Sequence, residues 1–223
     1  MATISLKKPQ SSDELAIVPS EPSTAIVSAT IGVPSAFEGE FTAADRKVPY
    51  LAICQKSGKM MDDNPTWLGN FVYDKLHCLG NKLNVVFFKC KKSYVEDLPY
   101  GSDAFPQKFN TIAESREAGV AVQEVGELDC LIEVPLDFEG AEEIDGKGYV
   151  PARYTVRSTA YGATVRILVK DVSLRLKGVL ASGGYTLAIE KKTNGSNSWY
   201  APKLSPNGMT PEAVLNHITD NYC

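Results

Sequence analysis

Histidine is nearly absent: His77 and His217 are the only two in 223 residues. A nucleophile needs a base beside it, and His217 falls in a short terminal helical stretch, so a hydrolytic relay has little to draw on. The five cysteines (Cys54, Cys78, Cys90, Cys130, Cys223) are odd in number and form no CxxC pair. That pattern argues for reduced thiols rather than a disulfide framework, and against a zinc site. No apolar run approaches the roughly 18–20 residues that cross a bilayer, and the opening MATISLKKPQSSDE has no apolar core of the kind a signal peptide carries. A cytoplasmic protein with no membrane partner is expected. Catalytic signatures are missing too: no GxxxxGK[ST], no GxGxxG opening a helix, no HExxH and no GxSxG occurs. Asp62, Asp63, Asp137 and Glu139 offer carboxylates, but no spacing singles out a pair for acid/base work. The sequence therefore predicts a chain that is not an enzyme, with no cofactor and no metal.

What is present is an uneven charge. The whole chain carries a formal charge of −4, yet between Gly146 and Met209 ten basic residues face only two acids, Asp171 and Glu190. Cations segregated in this way are an electrostatic footprint for a polyanion. Aromatic residues are interleaved with them (Tyr149, Tyr154, Tyr161, Tyr185, Trp199, Tyr200), and a basic groove with rings on which bases stack is how single-stranded nucleic acid is held. The alternative is that a helix and a hairpin simply carry solvated lysines and arginines.

The same stretch has the clearest secondary-structure pattern. Tyr161, Val165, Leu168, Val172, Leu176 and Val179 step along one helical face, with Ser158 or Thr159 as cap and Gly178 or Gly183 as stop. A strand over 149–157 precedes this helix of 159–177, and a hairpin over 184–204 turns at Asn194-Gly195 behind it. Upstream, residues 1–46 read as a flexible leader with a candidate strand at 24–33. VPYLAICQ predicts a buried strand, and residues 70–95 a hairpin turning at Gly80-Asn81. By strand alternation Val85, Phe87, Lys89, Lys91 and Ser93 would share one face of its second arm. Thr111 to Glu114 fits a capping box. LDCLIEVPL, interrupted by Pro135, reads as an edge strand. The acidic stretch 137–145 reads as an exposed loop, and Thr210-Pro211-Glu212 starts a C-terminal helix over 210–223.

The order of elements is that of a mainly β protein, an OB-fold-like β-barrel over 47–209 with one helix before its last two strands. On Val48 to Gln55 (VPYLAICQ), Leu98 to Ser102 (LPYGS), Thr155 to Tyr161 (TVRSTAY) and Glu190 to Tyr200 (EKKTNGSNSWY), the sequence resembles phage-encoded single-stranded-DNA-binding proteins. The resemblance implies a non-catalytic viral protein of DNA replication or recombination, acting in the host cytoplasm. Its partners would be single-stranded DNA, with RNA as the other ligand to test, further copies of itself, and replication or recombination proteins. Lys89, Lys91, Lys92, Arg153, Arg157, Lys191 and Lys192 are the candidates for phosphate contacts, and Tyr94, Tyr154, Trp199 and Tyr200 for stacking. Of the adjacent Trp199 and Tyr200, alternation lets only one pack in the barrel while the other faces outward. The acidic tail through which such proteins recruit partners has no counterpart in NHITDNYC, where Asp220 is the one acid. A phage structural or host-interaction module binding an acidic protein partner is the rival reading.

Overall fold

The computed structural model describes residues 48–57, 59–99 and 104–222. The leader 1–46 with its candidate strand at 24–33, and part of the LPYGS segment, lie outside the described residues. The elements are β1 (Tyr50–Ile53), α1 (Lys59–Asp63), β2 (Phe71–Tyr73), β3 (His77–Gly80), β4 (Lys82–Glu96), β5 (Lys108–Phe109), α2 (Ile112–Glu117), β6 (Val122–Val134), β7 (Glu142–Ile144), β8 (Lys147–Arg157), α3 (Ser158–Leu174), β9 (Gly183–Asn194), β10 (Asn197–Met209) and α4 (Glu212–Tyr222). One sheet runs β10-β9-β4-β6-β8-β1-β2-β3, with β5 added beside β4 and β7 beside β8. The β1–β8 pair is parallel. As the sequence predicts, the protein is mainly β, a curled sheet forming an open half-barrel, with one long helix before the last two strands and a shorter one after them.

Strand alternation divides the apolar residues between two faces. Inside the curl, Val85, Phe87, Leu128, Cys130, Ile132, Val150, Ala152, Tyr185 and Leu187 pack on Tyr161, Val165 and Leu168 of α3. Outside it, Val86, Leu131, Ile144 and Tyr149 pack on Val214 and Ile218 of α4. Full burial of an aliphatic or aromatic side chain stabilises by about 1.5–3 kcal/mol, so α3 is held by its buried stripe more than by its capping. That stripe fits because β6 has no side chain at Gly126, where a Cβ would lie 2.5 Å from Val165 Cγ2 and 3.2 Å from Val156 Cγ2. Gly126→Ala is expected to cost about 1–3 kcal/mol by overpacking. A denaturant midpoint that falls at constant slope would report this, whereas an unchanged midpoint would mean that α3 does not rest on β6.

Several expectations are corrected. β3 does not return onto β4; the hairpin is β2–β3, with Val72↔Cys78 and Tyr73↔His77 in register. Its turn is Asp74-Lys75, both at positive φ (46° and 63°), with Leu76 N–H donating to Tyr73 O at 3.0 Å. Two left-handed residues suit the right-handed twist of a tight hairpin; Asp74 is a residue such turns favour, but Lys75 stands where Gly is usual, so the signal is incomplete. β4 instead pairs with β6 and β9. It also carries a bulge: Phe87 lies opposite Cys130 but Lys89 opposite Asp129, leaving Phe88 unmatched. The extra residue reverses the alternation, so Lys89 and Lys91 share the outer face with Val86 rather than that of Val85 and Phe87. β6 is a central strand between β4 and β8, not an edge, because it ends at Val134 and leaves Pro135 outside the ladder. Part of the acidic stretch is β7. At α2 half of the expected capping box forms: Thr111 Oγ1 accepts from Glu114 N–H at 3.2 Å, but the Glu114 carboxylate accepts from Asn110 N–H at 3.0 Å rather than from Thr111.

Candidate functional site

The curl leaves a seam. β1 is in register with β8 only at Tyr50↔Arg153 and Leu51↔Tyr154, and across the gap lies β10, the end of the strand order. Pro202 has no N–H to give a neighbour, which suits an edge strand. Two residues earlier, on the same side of the strand, Tyr200 has both backbone groups taken by one side chain. Gln55 Nε2 donates to Tyr200 O at 2.6 Å and Gln55 Oε1 accepts from Tyr200 N–H at 3.0 Å. A single amide thus stands in for a neighbouring strand and joins the end of β1 to β10. The close approach needs Gly69, where φ is +75° and a Cβ would sit 2.6 Å from the Tyr200 ring.

Beside this bridge lies a cleft of about 460 Å³, lined by Tyr50 to Ile53, Gln55, Arg153 to Arg157, Ala160, Tyr200 and Pro202. Arg157 is exposed and, among the described residues, has no ion-pair or hydrogen-bond partner for its side chain. It immediately precedes α3, whose first residue Ser158 is left-handed (φ 52°) and donates from Oγ to Gln123 Oε1 at 2.9 Å. Non-glycine residues in that region are strained and persist where the surroundings hold them. Lys191 lies opposite Tyr200. Since Leu187 and Leu204 on the same two strands point inward, alternation puts Lys191 and Tyr200 on the cleft side, and Lys191 is likewise without a partner among the described residues.

The remaining candidates are dispersed. Tyr154 is 3% exposed and edge-on to Phe71, so it packs in the core and cannot stack on a base. Arg153 forms a two-point pair with Asp129, at 2.7 and 3.2 Å. Lys92 bonds Glu124 and sits 5.0 Å from the Tyr94 ring and 5.7 Å from the Tyr161 ring; chiefly that bond to Glu124 holds its ammonium above the ordinary lysine pKa. Lys89 and Lys91 are on the outer face. Trp199 and Lys192 point away from the cleft side, and Lys192 and Lys203 together hold the Glu190 carboxyl down to about 2. Trp199 and Tyr200 are both half-buried, neither being simply in or out.

The segregated charge is largely matched in three dimensions. Lys147, Arg153 and Arg166 pair with Glu133, Asp129 and Glu124 of β6, while Arg175 pairs with Asp171, and Lys192 and Lys203 with Glu190. Arg157, Lys170, Lys177 and Lys191 remain unpaired among the described residues. Of the sequence candidates the cleft lining therefore holds Arg153, the packed Tyr154, Arg157 and Tyr200, with Lys191 opposite Tyr200 on β9, and it adds Gln55 and Tyr50. No local signal could have named Gln55, whose partner is 145 residues away.

The chain matches no protein-family model, no curated protein and no solved structure. The fold and the cleft define it as a mainly β half-barrel with a cation-flanked opening at its seam. Among the described residues no helix is long and apolar enough to cross a membrane.

Proposed function

We propose that this chain is a non-catalytic single-stranded-DNA-binding protein that holds the strand along the seam between β1 and β10. The observation that supports the reading is that one cleft is lined by an uncommitted cation, Arg157, and by Tyr50 and Tyr200, with a second uncommitted cation, Lys191, opposite Tyr200 on the neighbouring strand. Its volume, about 460 Å³, falls in the range of about 300–1,000 Å³ usual for ligand clefts. Cations that already carry a carboxylate partner give little to a phosphate, since the pair must be broken first. Free ones release condensed counterion from the strand when they bind. In this role the protein would serve phage DNA replication or recombination in the cytoplasm, where its thiols stay reduced.

A dT oligomer titrated over a range of salt tests this. Replacing both Arg157 and Lys191 by Glu is expected to lower affinity at least tenfold and to flatten the salt slope by roughly 1.4, at about 0.7 per lost phosphate contact. Tyr200→Ala is expected to lose about 1–3 kcal/mol of stacking, while Trp199→Phe leaves affinity unchanged. Binding that is indifferent to salt and to the double reversal would sink the proposal. Binding that depends on Lys89 and Lys91 instead would move the site to the outer face.

A further inference from the structure

We infer that the protein associates head to tail with further copies of itself, through an apolar basic patch at the end of α3 and an apolar acidic patch on the β6–β8 loop. Large apolar side chains left exposed are informative when they gather. Val169 and Leu174 in the second half of α3, Val179 just beyond it and Met209 at the end of β10 are each more than half exposed. Arg175, the residue after α3, ties Met209 to this end of the helix, donating from Nη1 to Gly208 O at 3.0 Å and lying 3.4 Å from Met209 Sδ. The charges among them are Lys170 and Lys177, both exposed and both without an acid partner among the described residues. A second group lies on the loop after β6. Leu136 is 53% exposed and Leu76 is 68% exposed. His77 beside Leu76 links the two segments, being 3.8 Å from Glu139 and with its ring tilted against that of Phe138 at 4.9 Å. Around them Asp137, Glu143 and Asp145 are exposed and form no salt bridge among the described residues, and they outnumber the one exposed cation beside Leu76, Lys75.

Each patch repels its own kind, so a two-fold dimer built on either would set like charges face to face. Each complements the other, and both are on every copy, so the contact is heterologous and propagates into a ring or an open chain. Among the described residues the two ends of the strand order are poor templates for pairing: Pro202 and Pro206 blunt β10 and the Gln55 amide occupies Tyr200, while β3 at the other end has four residues. This inference goes beyond strand binding and holds with or without it.

Sedimentation of the full chain without any oligonucleotide tests it. The wild-type mass is expected to rise above 24.2 kDa as concentration moves from micromolar to millimolar, and to fall back in high salt. Lys170→Glu with Lys177→Glu, and separately Asp137→Lys with Glu143→Lys, should each remain monomeric. All four side chains are exposed and unpaired, and matching melting curves will verify that both variants fold. Mixed together, the two variants should associate again, because each reversed patch now meets a reversed complement. A wild-type chain that stays monomeric throughout, association that survives either reversal, or a mixture that stays monomeric would each overturn the inference. So would a monomer whose α3 patch binds polyglutamate, since that assigns the patch to an acidic partner of another kind.

Discussion

Asp171→Ala should destabilise the fold by about 3 kcal/mol, lowering the melting temperature by roughly 6–12 °C in a chain of this size. The Asp171 carboxylate accepts from Arg175 Nε at 2.9 Å and Nη2 at 2.6 Å, and from the Tyr185 hydroxyl at 2.8 Å. Tyr185 is fully buried on β9, and Arg175 reaches on to the end of β10, so one carboxylate ties the last turn of α3 to both final strands. Removing it leaves the tyrosine hydroxyl without its acceptor and releases the guanidinium, and an unpartnered buried polar group costs more than the bond it made. The Arg175 hydrogen bonds are the main cause holding the carboxyl of Asp171 below its ordinary range, aided by the one from Tyr185. With the folded pKa depressed, this contribution is present above the unfolded pKa and is lost as pH falls through the folded one. Asp171→Asn should keep part of the stability and lose that acid dependence. A thermal melt in which Asp171→Ala matches the parent at neutral pH would show that the network is solvated and inert.

The contrast between Asp171 and the hairpin error shows where the sequence is legible. The α3 stripe of Tyr161, Val165 and Leu168, the turn within residues 193–197 and the start of α4 are all encoded within a few residues, and each forms there, the turn itself at Gly195-Ser196, one residue on from Asn194-Gly195. The element order, and with it the mainly β architecture, follows from such local signals. Pairing does not. Gly80-Asn81 looks like a turn, yet β4 goes to β6 and β9, because the tight turn forms at Asp74-Lys75, where Lys75 stands in place of the usual Gly and weakens the signal. One bulge at Phe88 is invisible to alternation and sends Lys89 and Lys91 to the opposite face from that expected. The candidate site fared in the same way. Arg157 and Tyr200 are legible as cation and ring, but Arg153 and Lys92 look free in the sequence while acids on the neighbouring β6 hold them, and Lys192 is held by Glu190 of its own strand. A linear count of charge cannot see Asp129 or Glu124 arriving on the neighbouring strand.

Gln55→Ala should open the seam between β1 and β10, at a cost of about 2–4 kcal/mol for two backbone groups of Tyr200 left without partners. The cost arises because the edge has no substitute: Pro202 blunts the strand beside it, and the Tyr200 ring already fills the space over Gly69. Gln55→Glu makes the sharper test, since it keeps size and changes one donor into an acceptor. As a carboxylate the side chain can still accept from Tyr200 N–H, but its other oxygen then faces Tyr200 O, where Gln55 Nε2 donates at 2.6 Å. Only the protonated acid can supply that donor, so the fold favours the neutral form and raises the carboxyl's pKa above the ordinary value of about 4.3. A raised folded pKa contributes stability that is complete below the unfolded pKa and lost as pH rises through the folded one. Gln55→Glu is therefore expected to melt well below the parent at neutral pH and to close the gap as the solution is acidified, while Gln55→Ala shows no such recovery. Parallel melts of the two variants from neutral pH to below 4 would decide it. A Glu variant that tracks the Ala variant at every pH would mean that water, not this side chain, satisfies Tyr200 and that the seam is not held by Gln55.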